Sequence, residues 1–142
     1  MSRPSIHPIL ATAVLLWVAP AVHAAAPSGR YTTTSTTVLD NKTGLTWQRS
    51  PGSTTYTRSQ AGLQCSSGWR LPSVTELATI VDVSQQSPAI DASAFPSTPY
   101  DLPFWSATMA VPDSTTAWVV DFTNGELRTY PESAALYVRC VR

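Results

Sequence analysis

The 142-residue chain carries nine basic and nine acidic side chains, and only 13 % of it is charged. A neutral chain without a basic cluster lacks the electrostatic footprint of a nucleic-acid binder. Part of the low charge comes from the first stretch, which reads as a leader rather than as fold.

Arg3 and His7 make a weakly basic start, and Ile9 to Val22 is apolar or small apart from Thr12. Val22-His23-Ala24 then places small residues where a signal peptidase reads them. The apolar run of roughly 14 residues falls short of the ~20 that a membrane-spanning helix needs. Pro20 breaks the helix ahead of the cleavage point. These features predict a signal peptide over residues 1–24, with cleavage after Ala24, or alternatively after Ala26. An uncleaved anchor helix is the competing reading. No cysteine stands near the junction to carry a lipid anchor. The expected product is secreted or periplasmic, does not span a membrane, and has the size of one domain.

Cleavage removes Arg3 and both histidines, His7 and His23, so residues 25–142 contain no histidine. They contain two cysteines, Cys65 and Cys140, which an oxidising compartment favours joining as a disulfide.

Residues 25–36 are small, polar and rich in Ser and Thr, and read as a flexible leader or a ragged edge strand. The domain proper is placed at 37–142. Val38 to Arg49 reads as a hairpin turning through Asn41 to Gly44, with Leu45 and Trp47 on one face. Arg58 to Cys65 predicts a short helix with Ala61, Cys65 and Leu63 inward, ended by Ser66-Ser67-Gly68. Ser73 and Glu76 form a capping box opening a second helix, whose apolar stripe is Leu77, Ile80 and Val81. Asp82 to Pro103 is long, irregular and proline-rich, and is expected to be functional or packed down by Phe95 and Tyr100. Strands are predicted at Phe104 to Thr108, Ala117 to Thr123, Glu126 to Tyr130 and Tyr137 to Val141.

Asn124-Gly125 reads as a two-residue hairpin turn, which sets Phe122 opposite Leu127, Asp121 opposite Arg128 and Val119 opposite Tyr130. Trp118, Val120, Phe122, Leu127 and Thr129 then form the core face. Asp121, Arg128 and Tyr130 fall on the other, with Asp121 and Arg128 as a cross-strand ion pair that Arg139 joins. Trp47, Trp69 and Trp118 are expected in the core. Arg70 is expected to pair with Glu76 or Asp82 and fix the start of the second helix.

Several phrases occur in order: Val38-Leu39-Asp40, Thr43-Gly44-Leu45, Trp47-Gln48-Arg49, Cys65, Trp69-Arg70-Leu71-Pro72, Glu76-Leu77, Phe95-Pro96, Phe104 to Thr108, and Val138 to Arg142. Together they resemble the Lcl C-terminal domain family, named for the carboxy-terminal domain of a bacterial collagen-like adhesin. The resemblance covers roughly Thr37 to Arg142. It implies an α+β fold of the C-type-lectin-like or sulfatase-modifying-factor-like kind, with two short helices and a small twisted antiparallel sheet. In lectin-like domains a cysteine of the first helix pairs with one of the last strand, as Cys65 and Cys140 would. The family's best-known member resembles a trimeric adhesin for sulfated glycans. This chain has neither a collagen-like stalk nor the clustered basic residues expected of such a binder, and its oligomeric state is left open. The Glu-Pro-Asn and Trp-Asn-Asp phrases of calcium-dependent sugar binding are missing.

No metal or cofactor is expected: no cysteine or histidine is free for zinc, and Asp40, Asp101 and Asp113 are scattered. Without histidine or a free thiol the usual nucleophilic schemes fail, so no enzyme is expected. The reading is a secreted or cell-surface adhesion module that binds a glycan or another extracellular ligand. The alternative is a structural or protein-interaction module of the bacterial envelope with no small ligand. The face expected to contact ligand is Tyr100, Asp101, Asp121, Arg128 and Tyr130, where tyrosines stack on sugar rings and an Asp–Arg pair offers acceptors and donors.

Overall fold

The computed structural model describes residues 26–112 and 115–142. Residues 1–24, expected to be a signal peptide, and Asp113 lie outside the described residues. The elements in order are β1 (Tyr31–Thr33), β2 (Thr37–Asp40), β3 (Thr46–Gln48), α1 (Arg58–Gln64), α2 (Val74–Ala78), β4 (Phe104–Met109), β5 (Thr116–Asp121) and β6 (Glu126–Pro131). Where a single sheet was expected, the strands form two antiparallel three-stranded sheets, β1-β2-β3 and β4-β5-β6.

The first sheet contains the expected hairpin and adds β1, from within the stretch read as a flexible leader or ragged edge strand. β1 pairs Tyr31 with Asp40 and Thr33 with Val38. Tyr31 anchors it by packing edge-on against Phe95, ring centroids 5.2 Å apart.

The helices follow their local signals. Gln60 Oε1 accepts the Thr57 N–H at 3.0 Å at the start of α1. Ser67 and Gly68 both take positive φ where the chain leaves it. Ala61 and the capping Cys65 are buried, but Leu63 is 78 % exposed, because α1 turns only one narrow face to the sheet. In α2 the Glu76 N–H donates to Ser73 Oγ at 3.1 Å, and Glu76 Oε2 accepts the Ser73 N–H at 2.8 Å. This is the expected capping box.

β4 and β5 are covered on both sides. Successive strand residues point to opposite faces, and neighbours here join different cores. Phe104, Val120 and Phe122 pack with Val38, Trp47, Leu77, Ile80, Ile90 and Phe95. Trp105, Ala117 and Val119 pack with Ala61, Leu71, Leu136 and the two cysteines. The expectation that one face of the β5–β6 hairpin is core and the other wet is therefore corrected. Val119 is fully buried, whereas Leu127 is 45 % exposed and Thr129 is exposed, because β6 lies beyond the elements that cover β5. Trp47 is buried, while Trp69 and Trp118 are only half-buried.

The turn differs as well. Asp121 faces Glu126, Val120 faces Leu127 and Val119 faces Arg128, so four residues, Phe122 to Gly125, make the connection. Two side chains build it: Asp121 Oδ1 accepts the Thr123 N–H at 2.9 Å, and Asn124 Oδ1 accepts the Glu126 N–H at 3.1 Å. The shift is two residues, so residues assigned to a shared face still share it.

The expected last strand is instead an extended strip whose partner keeps changing. Leu136 bridges Tyr56, Tyr137 bridges Phe104, and Val141 bridges both Trp47 and Arg70. Arg139 does not join Asp121 and Arg128. It is fully buried, and its guanidinium lies 4.9 Å from the Phe95 ring centroid.

Candidate functional site

The irregular stretch after α2 positions the first half of the expected face. It is tied down from within: Asp91 Oδ1 accepts the Ser93 and Ala94 N–H groups at 2.9 and 3.1 Å, and Phe95 N–H donates to Asp91 O at 2.8 Å. Phe95, Ile90 and Ala94 are buried, which seats the stretch on the first core. Tyr100 does not help to pack it down, being 44 % exposed.

The stretch meets the β5–β6 turn. Thr123 Oγ1 donates to Tyr100 O at 2.5 Å, and Ala89 N–H donates to Phe122 O at 2.6 Å. Asp101 Oδ1 accepts the Tyr137 hydroxyl at 3.1 Å. Burial and this bond raise the Tyr137 pKa.

The hairpin half is arranged differently. Arg128 Nε donates to Glu126 Oε2 at 2.9 Å, and Nη1 lies 3.8 Å from Asp121 Oδ2. Glu126, which the sequence reading passed over, is thus the closer partner. The two share one face of β6 because they are two residues apart. Tyr130 packs against the second core, opposite Ala117. The five residues therefore divide. Tyr100 and Asp101 adjoin the turn and the first core, Asp121 and Arg128 sit together at the end of the hairpin, and Tyr130 lies on the side of the second core.

Arg70 pairs with Glu76, as one of its two expected partners, through Nη1–Oε2 at 2.8 Å and Nη2–Oε1 at 2.7 Å. The Arg70 bonds, outweighing partial burial, hold the Glu76 carboxyl down at about 2.

The clefts lie elsewhere. One of about 270 Å³ is lined by Arg30, Tyr31, Val81, Asp82 and Asp91, and a neighbouring one of about 360 Å³ by Gly29, Arg30, Asn41 and Lys42. Arg30 donates to Asp40 Oδ2 at 3.2 Å and to Thr79 O. Burial pushes the Tyr31 hydroxyl up to about 12. Arg30 and Tyr31 fall in the stretch read as a flexible leader or ragged edge strand, which is why the sequence offers them no site role. The one local hint is that Tyr31 precedes three β-branched residues, Thr32 to Thr34, as an edge strand would.

Cys65 and Cys140 are joined, linking the end of α1 to the C-terminal strip. No group of three or more His, Cys, Asp or Glu residues that could hold a metal ion occurs among the described residues. The whole is a disulfide-closed α+β domain. The Lcl C-terminal domain model matches residues 36–142, and the chain belongs to that family. No curated protein matches it.

Proposed function

We propose that this chain is an exported or cell-surface binding module of the C-type-lectin-like kind that recognises a glycan or another extracellular ligand, and that it is not an enzyme. Family membership and the disulfide support an extracellular setting. No helix among the described residues is long and apolar enough to cross a membrane. The bridge from the first helix to the C-terminal strip supports the lectin-like comparison. Both cysteines are spent in that bridge, and residues 25–142 hold no histidine, which favours binding over nucleophilic catalysis.

The observation that carries the reading is the bond from Thr123 Oγ1 to Tyr100 O. It holds an exposed tyrosine and its neighbour Asp101 against the turn that leads to Arg128. Ring and carboxylate are thus braced beside the turn, with the Arg128 guanidinium further along the hairpin, groups of the kind that sugar ring faces and hydroxyls require. A glycan array probed with the purified chain at several salt and calcium concentrations tests it. Binding that falls about tenfold in Arg128→Ala, ~1.4 kcal/mol, with an unchanged melting temperature, supports the site. A clean negative under all conditions refutes glycan recognition and favours the envelope interaction module.

A further inference from the structure

β6 is the outermost strand of its sheet, and among the described residues nothing pairs with its far edge. The ladder itself decides which backbone groups that edge offers. Glu132 N–H donates to Thr115 O at 3.0 Å, in the same register that sets Thr116 opposite Pro131 and Asp121 opposite Glu126. Bonded and non-bonded pairs alternate along an antiparallel ladder. Tyr130, Arg128 and Glu126 therefore turn their N–H and C=O groups towards β5, and Leu127, Thr129 and Pro131 turn theirs outwards. The opposite side of β5 agrees: Thr116 O accepts the Ala110 N–H, and Trp118 O accepts the Ser106 hydroxyl, both from β4 or its end. Pro131 has no N–H, and its carbonyl already accepts from Ala134 at 2.9 Å. The free edge is thus Leu127 and Thr129. It carries no bulge and is exposed along most of its length; its guards are the charged Glu126 and Arg128 and, at its end, Pro131.

We propose that this edge pairs with the same edge of a second copy of the chain, antiparallel, with Leu127 opposite the partner subunit's Thr129 and Thr129 opposite the partner subunit's Leu127. Two outward-facing residues two positions apart read the same from either end. In this register every outward N–H meets an outward C=O. A slip of two residues one way sets Leu127 against the partner subunit's Pro131, which has no N–H. A slip the other way sets Thr129 against the partner subunit's Gly125, which is in the turn at φ +83°. The charges also suit a second copy. Arg128 comes opposite the partner subunit's Arg128, but each is held by its own Glu126, and the partner subunit's Glu126 lies diagonally across, within reach of a long side chain. Each Arg128 thus meets its own Glu126 and Asp121 and the partner subunit's Glu126, carboxylates that offset the repulsion between the two guanidinium groups. Leu127, 45 % exposed, gains apolar cover from the partner subunit's Thr129 on the same face. One short strand edge covers less than a standard interface, so the association is weak and transient.

Sedimentation and amide exchange of the purified chain over a concentration series test this, independently of any ligand. The expected result is a concentration-dependent dimer in which the Leu127 and Thr129 amides become protected, while those of Arg128 and Tyr130 are protected throughout. Thr129→Pro removes an N–H that the chain's own fold does not use, and should weaken the dimer about tenfold or more, ~1.4 kcal/mol. Glu126→Gln should weaken it too, with added salt restoring part of the loss. A chain that stays monomeric at the highest concentration, or a dimer that forms without new protection at Leu127 and Thr129, overturns the proposal. The exchange pattern of the unmodified chain decides the matter even if Thr129→Pro does not fold.

Discussion

Replacing Arg139 asks whether a buried cation without a counter-charge holds this fold together or burdens it. Its Nη1 donates to Gln48 O at 2.7 Å and Arg49 O at 2.9 Å, and its Nη2 to Thr98 Oγ1 at 2.7 Å. Phe95 and Phe104 stack on it, with ring centroids 4.9 and 5.7 Å from Cζ. No carboxylate bridges it among the described residues. Burial pulls its pKa down to about 9, so it remains a cation at neutral pH. Arg139→Met keeps the length of the side chain and removes the charge. Three hydrogen bonds from a charged donor are lost at ~1.5–3 kcal/mol each, and the two ring contacts add about 1 kcal/mol each. Against that, the variant escapes a desolvation penalty of several kcal/mol. The bonds win, since the stranded carbonyls find no new donor, and the net loss is about 3 kcal/mol. Arg139→Lys keeps the charge but cannot reach two carbonyls and Thr98 in one plane, and should lose about half as much. Urea unfolding at pH 7 reads both as a lower midpoint at unchanged slope. A methionine variant as stable as the original, or more so, would show that desolvation outweighs the bonds and refute the reasoning.

Other perturbations reach the remaining joints. Because the Arg70 bonds depress the Glu76 pKa to about 2, the stabilisation is complete above the unfolded value of about 4.3 and is lost as pH falls towards about 2. Arg70 is half-exposed, so solvent screening limits it to ~1 kcal/mol, and Glu76→Gln should flatten that acid limb in pH-dependent melting. Replacing Cys65 and Cys140 together by alanine opens a loop spanning 75 residues. The chain-entropy relation gives about 4.5 kcal/mol for it, and a loss below about 1 kcal/mol by denaturant titration would mean that the strip docks without the bridge. Gly125→Ala would put a Cβ 2.5 Å from Val81 Cγ1 at φ +83°, whereas Gly44→Ala meets open space at φ +75°. Calorimetry should find the first costing ~2–3 kcal/mol and the second ~1 kcal/mol; equal costs would mean that Val81 simply moves aside.

What could be read from the sequence is what residues close in the chain decide. Ser73 with Glu76, the helix around Ala61 and the hairpin at Asn41 to Gly44 each carry their own short-range signal. The Cys65–Cys140 bridge was legible because only one intramolecular pairing of two cysteines exists. Asn124-Gly125 failed as a register signal because the same dipeptide ends a four-residue connection once Asp121 and Asn124 cap it from their side chains. Burial of β5 on both faces depends on which distant segments cover it, and alternation within β5 carries no trace of that. The candidate face was only half legible for the same reason. Tyr100 does reach the turn, but Tyr130 lies with the second core, a division set by packing between elements.

Arg139 looked like a surface residue because it sits between Val138 and Cys140 in an alternating run, and the strip explains why it is not. Tyr137 and Val141 belong to the first core, and Leu136, Val138 and Cys140 to the second. The strip is thus the seam between two cores, with no solvent face on either side. Arg139 shares the face of Tyr137 and Val141, and must be buried whatever its charge. The backbone cannot form one regular ladder there because it serves several neighbours in turn: Tyr56 at Leu136, Pro103 and Trp105 at Tyr137, Gln48 at Cys140, Arg70 at Val141 and Thr46 at Arg142. A polar side chain in such a seam is tolerable only where loose backbone supplies acceptors, and the carbonyls of Gln48 and Arg49, just where β3 ends, do so. The seam also reaches the candidate face, since the Tyr137 hydroxyl that grips Asp101 projects from it. Whatever holds the strip in place therefore also sets the position of Asp101 beside the turn.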